Sequence, residues 1–182
     1  MYPVELSGRL VVLREFRTDD AVDALAVYGD NTVTHWLSFD SRDQGTVNRL
    51  IAEAIERAQS VPRPEYYLAV TLPDDTFIGF VRLGFTGIKA AKLGYAIRAD
   101  HWGKGYATGA ARTLTDFGFS TLGIHRVSAA IGPENKGSIA VARHLGMTYE
   151  GRIRDHVFTN GGWRDSLLYS VLAHEWNSEP SA

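Results

Sequence analysis

Gly103 and Gly105 flank Lys104 in a loop that follows an apolar stretch and opens a helix. Glycines let a backbone approach a ligand closely, and the first N–H groups of a helix lack partners, so such a loop suits a pyrophosphate. It has neither the third glycine of a dinucleotide fingerprint nor the Lys-Ser/Thr ending of a P-loop, and an isolated glycine pair would merely turn a strand into a helix. Further on, Asn135 and Ser138 stand at Asn-x-x-Ser spacing before a short helix. By spacing alone they form a capping pair. Glu150, Asp155 and His156 lie on or beside the next strand and are candidate proton acceptors, His156 having the pKa best suited to neutral pH. Period-two alternation sends Asp155 and His156 to opposite faces, so at most one enters a cleft.

The elements that must position these groups follow from periodicity. Leu10 to Phe16 reads as a strand, and Thr18 to Asp20 cap a helix with Val22, Leu25 and Ala26 on one face. A stronger amphipathic helix carries Val47, Leu50, Ile51, Ala54, Ile55 and Ala58, ended by Pro62 and Pro64. Tyr66 to Leu72 and Phe77 to Phe85 form strands joined at Pro73 to Asp75. Lys92 to Ile97 enters the glycine loop, and the helix after it runs from about Lys104 to Ser120. Arg126 to Ile131 is a strand, and a short helix from about Gly137 to Leu145 is capped by Gly146. Met147 to Thr159 and Arg164 to Ala173 flank a hairpin turn at Asn160 to Gly162. The expected fold is α/β of the α+β kind, a mixed, largely antiparallel, seven-stranded sheet with flanking helices. Residues 1–176 are expected to form one domain and 177–182 a flexible tail.

With 182 residues, the chain is long enough for one substantial core. It has no cysteine, which removes disulfides, thiolate metal sites and a Cys nucleophile. A net charge of -2 argues against a general nucleic-acid binder. No apolar run is long enough to cross a bilayer and no secretory pattern follows Met1, so the cytoplasm is the expected location.

Taken together, the run from Trp102 to Thr108, the stretch from Leu122 to Val127, Asn135 with Ser138, Leu145 to Met147, Glu150 with Gly151 and the ending from Tyr169 to Trp176 resemble the GNAT superfamily of acetyl-CoA-dependent N-acyltransferases. Within it the chain resembles the RimJ/RimL type. The resemblance implies that acetyl-CoA is the co-substrate, with no metal. It places the pyrophosphate on Trp102, Gly103, Lys104, Gly105, Tyr106, Ala107 and Thr108, with Trp102 replacing a usual polar residue. It sets Ile97 and Arg98 along the pantetheine arm, in the manner of a peptide added to a sheet edge. Asn135 and Ser138 become CoA contacts, with Ser138 the proton donor to the leaving thiolate. Lys136 and Arg143 either meet the nucleotide phosphates or are solvated helix residues.

The acceptor side is less defined. The resemblance puts His35, Trp36 and Phe39 near the acceptor, although an ordinary core patch is an equal reading. Arg154, with Arg152, would select an acidic group or form a solvated face. Many relatives carry a glutamate where this chain has Lys92, which cannot act as a base at its ordinary pKa. The base is then Glu150, Asp155 or His156, with Asp155 resembling an acidic position of relatives, or a water relay. The implied reaction is acetyl transfer to a primary amine, a protein N-terminus or a small molecule, by direct attack in a ternary complex. A non-catalytic CoA-binding sensor and an acyltransferase with a longer donor such as succinyl-CoA remain alternatives. A homodimer is expected through the aromatic ends of the final hairpin, Trp163, Tyr169 and Trp176, and no nucleic-acid or membrane partner is expected.

Overall fold

The computed structural model describes residues 1–176, so the expected tail lies outside the described residues. Its eight strands are β1 (Glu5–Ser7), β2 (Val12–Arg14), β3 (Glu65–Thr71), β4 (Phe77–Gly87), β5 (Ala90–Ile97), β6 (Arg126–Ile131), β7 (Thr148–Thr159) and β8 (Gly162–Leu172). They form one sheet in the order β1-β2-β3-β4-β5-β6-β8-β7, antiparallel at every join except β5–β6. The mixed, mainly antiparallel sheet is as expected, with eight strands instead of seven. The extra one, β1, has three residues and two exposed side chains, so no alternation betrays it; pairing with β2 alone makes it a strand.

Five helices flank the sheet: α1 (Asp20–Tyr28), the single turn α2 (Asn31–Thr34), α3 (Gln44–Ala58), α4 (Tyr106–Ser120) and α5 (Lys136–His144). Alternation along the strands gives two cores, one on each face. Leu68, Leu83, Leu93 and Val127 pack with Ala110, Ala111 and Leu114 of α4. On the other face Ala69, Phe77, Phe80 and Ala96 pack with Val27 and Tyr28 of α1 and Val47 and Ile51 of α3. A register shift at Val70 and Thr71 changes the phase of β4, which is why Ile78 joins the first core and Phe77 the second. At this bulge a Cβ on Gly79 would lie 2.1 Å from the Ala96 carbonyl oxygen, so only glycine fits.

Helix α1 buries a different face from the expected one. Ala21, Ala24, Val27 and Tyr28 are inside, whereas Val22 is 72% exposed. Small alanines allow the helix to approach the sheet, and Tyr28 then stacks on Phe80 with ring centroids 5.2 Å apart. Nor does the Thr18 to Asp20 run cap the helix by a side chain. The Asp20 carboxylate instead accepts both terminal nitrogens of Arg14, each at 2.8 Å, and the Arg17 N–H at 2.7 Å. Arg14 Nε meets Asp75 in the β3–β4 turn at 2.7 Å, so one guanidinium ties α1 to β2 and to that turn.

Arg14 and Asp20 are both nearly inaccessible, and removing Asp20 leaves the buried Arg14 charge offset by the half-exposed Asp75 alone. Asp20→Ala is expected to destabilise the fold by about 3 kcal/mol. Urea unfolding followed by circular dichroism checks it, and an unchanged midpoint would refute the role given to this pair.

Candidate active site

Strand β5 pairs with β6 only from Ala90 to Lys92, opposite Arg126 to Ser128. Beyond that point β5 has no partner on its β6 side, and a cleft occupies the gap. In an antiparallel ladder successive residues send their backbone groups to opposite sides. The Arg98 N–H donates to the Ile78 carbonyl of β4, so Tyr95 and Ile97, out of phase with it, present theirs toward the cleft. Tyr95 also reaches across the gap, its hydroxyl donating to the Ser138 carbonyl at 3.4 Å. Burial pushes that phenol up to about 12, so it stays protonated.

The larger cavity, of about 720 Å³, lies between the end of β5, the loop before α4 and the start of α5. Ile97, Trp102, Gly103, Gly105, Tyr106, Ala107 and Thr108 line it, joined by Asn135, Lys136 and Ser138. Gly103 and Gly105 have φ of 76° and 81°, the left-handed region that favours glycine, and they turn the chain tightly into α4. Gly105 is the N-cap residue and no side chain caps this end, which leaves the first-turn N–H groups available to a ligand. A Cβ on Gly103 would meet nothing within 4 Å, so the loop is open to an occupant. Trp102 fastens the loop, its indole N–H donating to the Ile97 carbonyl at 2.7 Å. Arg98 and Lys104 line neither cavity: Arg98 pairs with Asp100, and Lys104 Nζ donates to the Asp100 carbonyl. The exposed Arg143 also lies outside both linings.

Asn135 caps α5, its side-chain oxygen accepting the Ser138 N–H at 3.0 Å. The capping geometry read from spacing is therefore present, and it also leaves the Ser138 hydroxyl without a protein partner among the described residues, at the junction of the two cavities. A second cavity of about 340 Å³ shares Trp36, Leu37, Tyr95, Asn135 and Ser138 with the first. Phe39 walls it and stacks on Tyr28, whereas His35 lines neither cavity and contributes its carbonyl to Arg164.

His156 lines this second cavity and its Nδ1 hydrogen-bonds the Ser166 hydroxyl at 2.9 Å. Burial, followed by the charges of Lys92 and Arg164, holds its pKa below the usual imidazole range. Asp155 and Arg154 are exposed and line neither cavity. Between Ile153 and Val157 β7 advances four residues while β8 advances two, from Ser166 to Arg164, and Asp155 has φ of 45°. This bulge breaks the simple alternation assumed from sequence. Glu150 is engaged by Arg126 and Ser170, which hold its carboxyl down at about 2, too acidic to collect protons at neutral pH.

Sequence reasoning missed Tyr95, Arg82 and Arg164. A signal existed for Arg82, which stands in period two with Phe80 as the one charged residue of its strand; Arg164 follows only from the hairpin register.

Residues 10–148 match the family model described as an acetyltransferase (GNAT) domain. The chain is 31% identical over 176 residues to "Probable N-acetyltransferase YjcK" of Bacillus subtilis, covering 92% of this chain and 96% of that one. It is 30% identical over 91 residues to the spermidine N(1)-acetyltransferase of Escherichia coli, covering 50% and 49% of the two chains. Among solved structures, Mycobacterium smegmatis RimJ in complex with CoA-disulfide superposes with a TM-score of 0.81 at 26% identity, covering 96% of this chain and 90% of that one.

Replacing Asn135 by alanine should remove the α5 cap and lower stability by about 1 kcal/mol, while Asn135→Ser keeps most of it. Thermal unfolding of the three proteins is the check, and equal midpoints for wild type and Asn135→Ala would contradict the capping role.

Proposed function

The chain belongs to the GNAT acetyltransferase family, and from that premise we propose that it moves an acetyl group from acetyl-CoA to a primary amine, with the donor in the larger cavity and the acceptor in the smaller. The observation that supports this most is the meeting of the two cavities at Ser138, Asn135 and Tyr95, in the gap where β5 and β6 part. The residues fit the co-substrate: a glycine loop and an uncapped helix N-terminus for phosphate charge, beside a free backbone edge for an amide-bearing arm. Within the family we read the chain as the RimJ/RimL type, a reading supported by its likeness to the mycobacterial RimJ.

Bound in this way, acetyl-CoA would supply an acyl carbon open to attack by an amine. The rest falls to the protein. The loop from Gly103 to Gly105 and the first turn of α4 hold negative charge, and the backbone of Tyr95 and Ile97 orients the arm beside them. A new N–C bond forms as the C–S bond breaks. His156 is the proton acceptor we favour over Asp155, because it lines the acceptor cavity and its lowered pKa keeps it neutral at pH 7. Ser138 holds the proton that goes to sulfur, and the second proton lost by the amine restores it. Asn135 acts through Ser138, fixing the turn on which that hydroxyl stands.

Thiol release from acetyl-CoA in the presence of amines should fall by about 10²-fold or more in Ser138→Ala, in line with the usual worth of a positioned acid or base. CoA binding without turnover on any amine would instead indicate a sensor. Because protonated imidazole cannot accept a proton, kcat/KM should decline as pH falls through a pKa below the ordinary 6.5 of histidine. His156→Gln should slow the reaction and abolish that limb, and an unaltered pH profile in the variant would rule out this histidine as the base.

A further inference from the structure

The basic side chains lining the smaller cavity are Arg82, Lys92, Arg164 and His156, the last neutral at pH 7, and among the described residues no aspartate or glutamate lines it. They come from β4, β5, β7 and β8, so neighbouring chain positions do not explain their convergence. Arg82 is paired from behind by the buried Glu65, but that carboxylate is shared with Arg57 at 2.9 Å. Lys92 has no hydrogen-bond or ion-pair partner among the described residues. Arg164 donates to the carbonyls of His35 at 3.2 Å and Leu37 at 3.1 Å, which are neutral acceptors, and its Nε is buried with no partner among the described residues. Two full positive charges therefore stand at this cavity without a carboxylate to offset them.

We infer that the acceptor is a primary amine carrying an oxyanion, a carboxylate or phosphate, which Lys92 and Arg164 hold while the amine lies near Ser138. The inference rests on assigning the smaller cavity to the acceptor. A buried guanidinium nitrogen without a partner is costly, and an anionic ligand supplies the missing acceptor. The cationic walls, in a cavity also lined by Trp36, Phe39, Tyr67 and Phe80, would repel a polyamine. They would also lower the pKa of the acceptor's own ammonium, raising the fraction that is neutral and nucleophilic, while the anion compensates for bringing a cation into this field. Lys92 and Arg164 are thus specificity residues, acting on binding and not on the transferred group.

The test compares thiol release for an ω-amino acid, its neutral amide and a diamine of equal chain length, with phosphoethanolamine as the phosphate arm. Short peptides with Asp, Asn or Lys after the N-terminal residue form the macromolecular arm. The anionic member should be preferred over the cationic one by at least about tenfold in kcat/KM, chiefly through KM, and added salt should shrink the gap. Lys92→Glu, which breaks no hydrogen bond or ion pair among the described residues, should erase or invert that order while retaining the wild-type melting temperature. Arg164→Lys, which keeps the charge, should retain more of the order than Arg164→Gln. A preference for the diamine, no preference, or an order unchanged in Lys92→Glu would overturn the inference. So would faster succinyl transfer from succinyl-CoA to the neutral amine, which would put the carboxylate on the donor. Absence of thiol release with every acceptor and both donors would instead refute the transferase reading, and this inference would fall with it.

Discussion

Past Lys92 the backbone of β5 loses its β6 partner, and unpaired peptide groups at the middle of a sheet are not tolerated without something to satisfy them. Solvent or a ligand must meet the N–H and C=O groups that Tyr95 and Ile97 present there. The protein fills part of the gap itself: Tyr95 crosses it to the Ser138 carbonyl, and Trp102 occupies the Ile97 carbonyl. What stays open is a slot with a sheet edge on one side and the starts of α4 and α5 at its rim. The two cavities exist because the sheet divides here, and the same division brings Ser138 between them.

Positive character in the two cavities has different physical origins. On the α4 side it comes mainly from peptide dipoles and uncapped N–H groups, which require a glycine loop but hardly any charged side chains; Arg98, Lys104 and Arg143 stand outside the lining. On the other side it comes from side chains that have lost part of their solvation. Burial lowers the pKa of Lys92, His156 and Arg164, in each case the first cause, with neighbouring cations adding to it for the first two. A backbone cradle recognises phosphate as such. Side-chain charges can vary from one protein to another without disturbing the fold.

Holding those side chains requires that distant segments be tied together. Arg164 bonds the carbonyls of His35 and Leu37, and Asp40 accepts from Thr159 and from the Asn160 N–H, so the segment after α2 is clamped to the β7–β8 hairpin. Trp36, Leu37 and Phe39 become cavity walls by this clamp, and Phe39 continues the stack of Tyr28 and Phe80 into the second core.

The order of the main strands and helices, the turn at Gly103 to Gly105, the Asn135 cap and the Asn160–Gly161 hairpin were all legible in the sequence. Each depends on interactions within a few residues: periodic burial, a positive φ that glycine or asparagine accepts, or a side chain reaching the next turn. The lining of the larger cavity is local for the same reason, being drawn largely from two contiguous segments. Helix α1 already exceeded that range, because its buried face was set by how closely alanines let it approach β4. The smaller cavity exceeded it altogether. Its basic residues come from four strands, their meeting depends on sheet order and register, and the bulge at Asp155 breaks the alternation on which any assignment of faces must rely. Hydrogen bonding between strands distant in sequence decides such things, and no local pattern encodes it.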